Sequence, residues 1–396
     1  MLDFFVAREK MLAGAGLLGT ESVAVADANR RVLAETIVAS TPLPPFDYSA
    51  MDGYALRLAD LPQAEPWELP VRGEVRAGSE TANLPEKACL RIFTGAPVPN
   101  GADCVVIQED TVRTGDSARF RERPAAFANI RRSGEDLALG AVALEPGTRL
   151  GAFHLGLAAA LDRAELRVAK RPRIAIIATG WELRAPGSPA RPGSIPESNS
   201  VALAALARET GVDVEVLPSV GDDRERATAA FDEALKQVDV LVTIGGVSVG
   251  DHDIVRPALE AAGVTLEFWK VAIRPGKPIT LGRRGAAWVL GLPGNPVSAQ
   301  LMFSLFGIPL LRALQGDRKP VPESSRFKLG APVRQKTGRM GCYRVRLERG
   351  VAWPFGNQAS GSTLSLAQAD AIVFLPADVE SCPAGGELTG LRLAEL

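Results

Sequence analysis

Apolar and polar residues follow two different periods in the middle of the chain. Between Arg173 and Gly316, short apolar runs such as RIAIIATG and DVLVTIGG alternate with stretches of helical period such as RATAAFDEALKQ. Short apolar runs separated by amphipathic helices are typical of βαβ units. The pattern therefore predicts a doubly wound, mostly parallel sheet. Three of the helical stretches end at a glycine, where a left-handed residue is favoured: Gly211, Gly263 and Gly316.

The pattern changes on both sides of this segment. Before residue 173 the apolar runs are short and are broken by Pro and Gly, as in LPPFDYSAMDGYAL, which indicates a β-rich region. After a charged, proline-containing linker at Asp317–Glu323, candidate strands follow in RFKLGAPVRQ, CYRVRLERG and DAIVFLPA. A chain of 396 residues is also long for one hydrophobic core, so several domains are expected.

Composition narrows the class of protein. The formal net charge is -1, so no global field attracts nucleic acid or acidic membranes, and no continuous run of about 18 apolar residues predicts a membrane span. Four scattered cysteines without metal-ligand spacing indicate ordinary thiols in a reducing compartment, and a cytoplasmic location is expected. With only His154 and His252, histidine-based zinc chemistry and a histidine-centred triad are disfavoured.

Acidic residues and glycines follow the predicted strands, at the carboxyl ends where ligands of doubly wound sheets bind. Glu182 follows the first strand, Asp222 and Asp223 the second, and the loop GGVSVGDHD, with Asp251 and Asp253, the third. Backbone N–H groups of such a loop suit an anion, and paired acids beside it suit Mg²⁺. Two alternatives stay open: the glycines only permit a tight turn, and the aspartates only cap helices.

Basic residues and a helix start follow the later strands. The segment KVAIRPGKP carries Lys270, Arg274 and Lys277, and GLPGNP leads into a helix that opens with Asn295 and Pro296. Acidic residues that hold a metal on one side of a site, with basic residues on the other side, are typical of phosphoryl or oxyanion transfer. The alternatives are a solvated charge run and an ordinary capped helix, although the helix start is also suited to phosphate.

Nine segments in this order resemble the molybdopterin molybdenumtransferase family, which includes bacterial MoeA and the C-terminal domain of gephyrin. They are PPFDYSAMDGYA, TGAPVPNGAD, IRRSGED, ATGWEL, ESNS, SVGDD, GGVSVGDHD, FWKVAIRPGKP and GLPGNPVSA. The resemblance spans essentially the whole chain. It implies an enzyme that takes adenylylated molybdopterin, inserts molybdate at the dithiolene sulfurs and releases AMP in a Mg²⁺-dependent step.

The resemblance also implies roles for individual residues. Catalytic roles fall on Asp52, Thr94, Glu182, Asp222, Asp253 and Lys270. Mg²⁺ ligands are expected at Asp222, Asp253 and Glu182. Substrate contacts are expected from Arg131, Asp136, Gly245, Gly246, Ser248, Gly250, Arg274, Lys277, Pro293, Gly294, Asn295 and Ser362, with Ser365 as an alternative to Ser362. Asp52, Thr94, Arg131 and Asp136 would reach the site of a second subunit, which implies a homodimer with a shared site.

The architecture that the resemblance implies has four parts. An elongated linker domain is expected at 1–45 and 137–170, a β-rich domain at 46–136, a doubly wound molybdopterin-binding domain at 171–318 and a β-barrel-like domain at 319–396.

Two other functions fit parts of the pattern. The doubly wound segment alone resembles the molybdopterin adenylyltransferase, which would use ATP and is also a candidate partner. A dimeric scaffold without catalytic activity, binding partner peptides on the same fold, is the second alternative.

Overall fold

The computed structural model describes residues 1–246 and 254–395, and Trp269 through its backbone only. The described chain divides into two compact units, each with its own hydrophobic core. The first contains residues 1–35, 146–151 and 165–396, and the second contains residues 36–145 and 152–164.

The first unit begins with a capped helix, α1 (Phe4–Gly14), and a strand, β1 (Thr20–Ala24). The Asp3 carboxylate accepts hydrogen bonds from the first free N–H groups of α1, at Phe5 and Val6. Phe4, Ala7 and Met11 of α1 are buried in the core of this unit.

The second unit is mostly β, as predicted. Its elements are β2 (Ile37–Val38), β3 (Tyr48–Ser49), β4 (Gly53–Leu56), β5 (Trp67–Val75), β6 (Cys89–Ile92), β7 (Cys104–Ile107), β8 (Thr111–Thr114), β9 (Ser117–Phe120), β10 (Ile130–Arg131), β11 (Val142–Leu144) and α2 (Ala152–Ala160). Six strands form one sheet in the order β7-β4-β6-β5-β9-β8. Tyr54, Leu56 and Phe120 lie in its core.

An α/β sheet forms the centre of the first unit. Its segment contains β12 (Glu165–Ala169), β13 (Arg173–Ala178), β14 (Leu183–Arg184), β15 (Ile195–Pro196), α3 (Asn199–Glu209), β16 (Asp213–Val216), α4 (Arg224–Ala234), β17 (Val240–Ile244), α5 (Val255–Ala261), β18 (Thr265–Lys270), β19 (Ile273–Arg274), β20 (Pro278–Arg284), β21 (Ala287–Leu292), α6 (Pro296–Met302) and α7 (Ile308–Leu314). β12 pairs with β1.

The six strands of this sheet lie in the order β16-β13-β17-β21-β20-β18. β16, β13, β17 and β21 are parallel, and β20 is antiparallel to both of its neighbours. The prediction of a doubly wound, mostly parallel sheet is confirmed, and so are the left-handed glycines after α3, α5 and α7, with φ of 76°, 81° and 70°. β20 was not among the predicted strands.

A closed barrel ends the first unit. Its segment contains β22 (Ser325–Leu329), β23 (Val333–Arg334), β24 (Met340–Glu348), β25 (Val351–Pro354), α8 (Thr363–Ala367), β26 (Ala371–Leu375), β27 (Ser381–Cys382) and β28 (Glu387–Arg392). Five strands close in the cycle β24-β25-β22-β28-β26-β24, as the predicted barrel requires. β19 adds to β24 in parallel, and Met340 and Cys342 join the core beneath the sheet.

The C-terminal helical stretch of the sheet segment, residues 296–314, is long and apolar enough to cross a membrane by length and composition alone. A π-helical turn, Phe303–Gly307, joins its two α-helical parts. Of its most apolar window, 83% is buried inside the protein, which is the environment of a core helix.

The four cysteines are free and buried, as predicted for ordinary thiols. Burial raises the pKa of the Cys89 and Cys104 thiols to about 12.

Candidate functional site

The order of strands arranges the predicted site residues along one edge of the sheet. Because β20 runs opposite to its neighbours, it begins at the edge where the parallel strands end. From β16 to β18, that edge carries in turn Asp222, Glu182, Gly245 and Gly246, Pro293 and Gly294, Lys277, and Lys270. Adjacent strands lie roughly 4.8 Å apart, so three steps separate β13 from β20 by about 14 Å. The edge thus has an acidic end, a glycine-rich middle and a basic end.

Backbone contacts hold the two loops of the acidic end side by side. The N–H of Gly180 donates to the carbonyl of Val220 at 3.0 Å, and a Cβ on Gly221 would lie 2.9 Å from the ring of Trp181. The loop that carries Glu182 therefore lies beside the loop that carries Asp222. Both carboxylates belong to exposed residues.

The helix-capping alternative applies to one of the two adjacent aspartates. The Asp223 carboxylate accepts a hydrogen bond from the N–H of Arg226 at 3.1 Å and caps α4. Asp222 makes no such cap, which leaves its carboxylate available for a ligand.

The acidic end suits Mg²⁺ only together with substrate oxygens. Within residues 1–246 and 254–395, no three His, Cys, Asp or Glu side chains are grouped closely enough to hold a metal ion. Mg²⁺ needs only one or two carboxylates when phosphate oxygens and water complete its shell. Glu182 and Asp222 are the candidates for those carboxylates. The remaining predicted residues of the glycine loop, Ser248, Gly250, Asp251 and Asp253, lie outside the described residues.

Glycines leave the middle of the edge without side chains. Gly245 has φ of 90°, and a Cβ there would lie 2.7 Å from the carbonyl oxygen of Thr179. Among the described residues, a Cβ on Gly294 would meet only the Cα of Gly245, at 3.5 Å. The Asn199 side chain donates to the carbonyl of Gly294 at 2.8 Å and fixes that turn. The segment ESNS contained this residue, but no polar periodicity distinguishes it.

The basic end opens into a cavity of about 630 Å³ that is shared with the barrel. Four predicted residues line it: Arg274, Lys277, Pro293 and Asn295. No sequence pattern indicated the residues that α6 and the barrel contribute, which include Ser298, Arg334, Arg339, Tyr343, Gln358 and Ser360. Four of the described lining residues are cationic and none is acidic. The cavity is therefore suited to an anion with more than one negative charge.

Strand pairing and one tyrosine position the cations of the cavity. β19 carries Arg274 next to Gly341 of β24, so the cation from the sheet segment lies beside the barrel. The Tyr343 hydroxyl donates to the carbonyl of Arg334 at 2.6 Å. Burial raises the pKa of Tyr343, with Arg274 acting in the opposite direction. Tyr343 is therefore a neutral hydrogen-bond donor at neutral pH.

The start of α6 differs from the sequence expectation. Asn295 occupies the N-cap position, but its side chain makes no capping hydrogen bond and lines the cavity instead. The N–H of Val297, expected to be available to phosphate, donates to the carbonyl of Ser360 at 3.0 Å. The barrel loop that contains Ser360 thus occupies part of the predicted phosphate site.

The loop after β25, which contains Ser362, reaches the cavity through residues other than those predicted. Gln358, Ala359 and Ser360 line it, whereas Ser362 is not among the lining residues. The Ser365 hydroxyl is buried and donates to the carbonyl of Ser362 at 2.8 Å.

The second unit brings Asp52 and Thr94 into direct contact. One Asp52 carboxylate oxygen accepts hydrogen bonds from the N–H and the hydroxyl of Thr94, both at 2.8 Å. The Thr94 backbone and then its hydroxyl, with a smaller contribution from Arg91, lower the pKa of Asp52. Asp52 is therefore held as a carboxylate at a half-buried position.

Arg131 and Asp136 lie in the same unit, on the segment IRRSGED. β10 places Arg131 opposite Tyr48 of β3. Tyr48 lies four residues before Asp52 in the chain. The Arg131 guanidinium forms an ion pair with Glu135 at 2.6 Å, and Asp136 is exposed. The N–H of Ser49 donates to the carbonyl of Ala96, which joins the segments PPFDYSAMDGYA and TGAPVPNGAD. The three N-terminal segments thus meet at one place on the second unit.

Three family models match the chain in succession. Residues 3–161 match the MoeA N-terminal region (domain I and II), residues 175–313 a probable molybdopterin binding domain, and residues 326–390 the MoeA C-terminal region (domain IV). Together they define a chain built from MoeA-type domains.

Curated relatives and solved structures agree with these matches. Molybdopterin molybdenumtransferase 2 of Mycobacterium tuberculosis is 39% identical over 378 residues, covering 93% of each chain. The molybdopterin molybdenumtransferase of Haemophilus influenzae is 39% identical over 81% of this chain and 79% of its own. The structure of the molybdopterin biosynthesis MoeA protein from Pyrococcus horikoshii OT3 has a TM-score of 0.86 and 29% identity, covering 99% of this chain and 100% of that one. The chain belongs to the molybdopterin molybdenumtransferase family, and the predicted family, fold class and transferase class are confirmed.

Proposed function

We propose that this protein inserts molybdate into adenylylated molybdopterin and releases AMP in a Mg²⁺-dependent step. The observation that carries the proposal is the order of groups along the sheet edge, with carboxylates at one end, cations at the other and glycines between. A substrate with an anhydride and a second reacting group needs separate positions for two anionic centres. The acidic end and the basic end of the edge are the proposed positions for these two centres.

The basic cavity is the proposed position for molybdate. Molybdate is a dianion with four oxygens, and Arg274, Lys277, Arg334 and Arg339 offer charge and N–H donors without an opposing carboxylate among the described lining residues. Ser298, Gln358 and Ser360 add uncharged polar groups. Lys270, at the end of β18, would support the same charge balance from the adjacent strand.

The acidic end is the proposed position for the anhydride. Glu182 and Asp222 would hold Mg²⁺ together with Asp253, and the bound ion would neutralise phosphate charge as AMP departs. The protein's own contribution is to fix the two carboxylate loops side by side. Gly245, Gly246 and Gly294 leave room for the pterin portion between the two ends.

A homodimer with a shared site is proposed from the second unit. Asp52, Thr94, Arg131 and Asp136 would complete the site of the partner subunit, with Asp52 held as a carboxylate by Thr94. α2 supports an interface, because only Ala158 of its nine mostly apolar residues is buried and Phe153 is 94% exposed. Exposed apolar surface of this kind marks contacts between proteins. The adenylyltransferase of the same pathway is proposed as a partner, in the cytoplasm.

The test is purified protein with adenylylated molybdopterin, Mg²⁺ and molybdate, scored for AMP and for active cofactor. Molybdate-dependent AMP release without ATP consumption is expected. ATP-dependent formation of the adenylylated pterin would instead indicate the adenylyltransferase, and no turnover with intact dimers would indicate the scaffold. Either result would overturn the proposal.

A further inference from the structure

Another cavity, of about 340 Å³, lies against one face of the central sheet, where β13, the loop after β16 and α4 meet. β13 contributes Ala175 and Ile177, which share a face because side chains alternate along a strand. α4 contributes Ala230 and Ala234, and the loop contributes residues 217–220. None of the described residues that line it was predicted for the site, so this apolar cavity is separate from the basic one.

The apolar cavity exists because α4 packs on β13 and leaves the end of the sheet uncovered. β16 is an end strand of the sheet and pairs with β13. On this face, Ala227, Phe231 and Ala234 of α4 share a core with residues of β13, whereas no residue of β16 belongs to the described part of that core. The alanines of α4 that line the cavity are too short to fill the remaining space.

The charged residues among the described lining residues are both acidic. Glu215 of β16 is exposed and forms no ion pair with a described residue. Glu233 of α4 accepts hydrogen bonds from the side chains of Gln237 at 2.9 Å and Lys236 at 3.3 Å, within the same helical stretch. A carboxylate has further lone pairs for a ligand. The cavity thus joins an apolar surface to carboxylates, which is complementary to an apolar body with a cationic group.

Two simpler explanations account for only part of this arrangement. Acidic residues on an end strand discourage pairing with another chain, which is sufficient for Glu215 but not for Glu233 on α4. A cavity filled by ordered water needs several polar partners for each water molecule, whereas the side chains of Ile177, Leu217 and Val220 are apolar. Neither explanation requires an apolar surface beside carboxylates.

We propose that the apolar cavity binds a small apolar molecule that carries one basic group, such as an aromatic or alkyl amine. The apolar body packs against Ile177 and Leu217, and the ammonium group donates hydrogen bonds to Glu215 and Glu233. The volume of the cavity lies within the range of roughly 300–1,000 Å³ that is usual for small-molecule sites. The proposal does not depend on molybdate insertion, because the predicted site residues lie elsewhere.

The experiment uses benzylamine, benzyl alcohol and benzoate, which share one ring and differ in charge. Their dissociation constants are measured with the full-length protein by ligand-observed NMR titration. Benzylamine should bind at least about threefold more tightly than benzyl alcohol, and benzoate should bind most weakly. Glu215→Gln should abolish the preference for benzylamine without changing the affinity for benzyl alcohol.

A second variant tests the location. Ala230→Leu places a larger side chain in the cavity and should weaken the binding of both benzylamine and benzyl alcohol by about tenfold. The matched controls are Ala229→Leu and Glu225→Gln, which change exposed residues of α4 outside this cavity and should bind like the wild type.

Four results would overturn the proposal. They are absence of benzylamine binding, equal affinities for benzylamine and benzyl alcohol, unchanged binding in Ala230→Leu, and equal losses in Ala230→Leu and Ala229→Leu. If Ala230→Leu does not fold, an unchanged benzylamine affinity in Glu215→Gln contradicts the proposal instead. Loss of benzylamine binding as the protein concentration and the oligomer size rise would show that a second copy of the chain covers the cavity, which would also exclude the proposed ligand.

Discussion

The acidic and basic ends of one sheet edge are built in different ways. At the acidic end, the loops after β13 and β16 are fixed by backbone hydrogen bonds, and their carboxylates are exposed. At the basic end, side chains from the sheet segment and from the barrel line one cavity. An open carboxylate pair suits a metal that arrives with substrate, whereas a cavity lined by cations suits a small anion bound by the protein alone. The two ends are therefore predicted to respond to different ligands.

The largest effect is expected from reversing charge in the cavity. Lys277→Glu should lower molybdate-dependent AMP release by about a thousandfold, because it removes one cation and adds an anion where an oxyanion is stabilised. The loss is measured as the steady-state rate of AMP release at varied molybdate concentrations. Lys336→Glu, on the exposed barrel surface outside the cavity, is the control and should retain activity. Equal losses of activity in both variants would show that the cavity is not the molybdate site.

A smaller effect is expected at the acidic end. Asp222→Asn should raise the Mg²⁺ concentration needed for half-maximal activity by about tenfold, as loss of one carboxylate ligand does. The control is Glu225→Gln, an exposed acid in the first turn of α4. If the Mg²⁺ titration curves of the two variants superimpose, Asp222 does not bind the metal.

The glycine-rich middle should show a moderate effect. Gly294→Ala places a methyl group 3.5 Å from the Cα of Gly245 without a clash with the described backbone, so the fold should persist while the pterin has less room. KM for the adenylylated pterin is expected to rise about fivefold, with molybdate affinity unchanged. Gly356→Ala, where a Cβ meets no atom within 4 Å, provides the comparison. Loss of molybdate affinity in Gly294→Ala would contradict the separate positions proposed for the pterin and for molybdate.

The smallest effect concerns Asp52 and pH. Because Thr94 lowers the pKa of Asp52 in the folded protein, this carboxylate adds stability above its ordinary pKa near 3.8 and loses it as pH falls through the lowered value. Thr94→Val removes the hydroxyl donor, so the pKa of Asp52 should rise toward its ordinary value, as observed by NMR titration. The stability difference from the wild type should shrink as the pH falls below 3.8. Thr111→Val, which removes a hydroxyl that donates to Ile107, should leave the pKa of Asp52 unchanged.

Sequence periodicity predicted most of the sheet but not its order. The apolar runs of β13, β17 and β21 were identified because they are buried on both faces. β20 was missed, since a proline begins it and two arginines end it, which shortens its apolar run. Its reversed direction brings Lys277 to the edge that carries the other predicted site residues. Strand order depends on tertiary packing, which no local pattern encodes.

The residues that line the cavity also divide into those that the sequence predicted and those that only the tertiary structure reveals. Arg274 and Lys277 follow a predicted strand and were identified as candidate anion ligands. Arg334 ends β23 and Arg339 directly precedes β24, and only barrel closure and the β19–β24 pairing bring them beside the sheet. The four predicted domain boundaries and the roles of Asp222, Asp253 and Lys270 remain predictions.

The molybdate dissociation constant of Asp222→Asn, measured by calorimetry beside Lys277→Met, tests the central claim most directly. Separate anion and metal ends predict that Asp222→Asn binds molybdate as tightly as the wild type, while Lys277→Met binds it at least about tenfold more weakly. Equal weakening in the two variants would contradict the division of the edge into two ends.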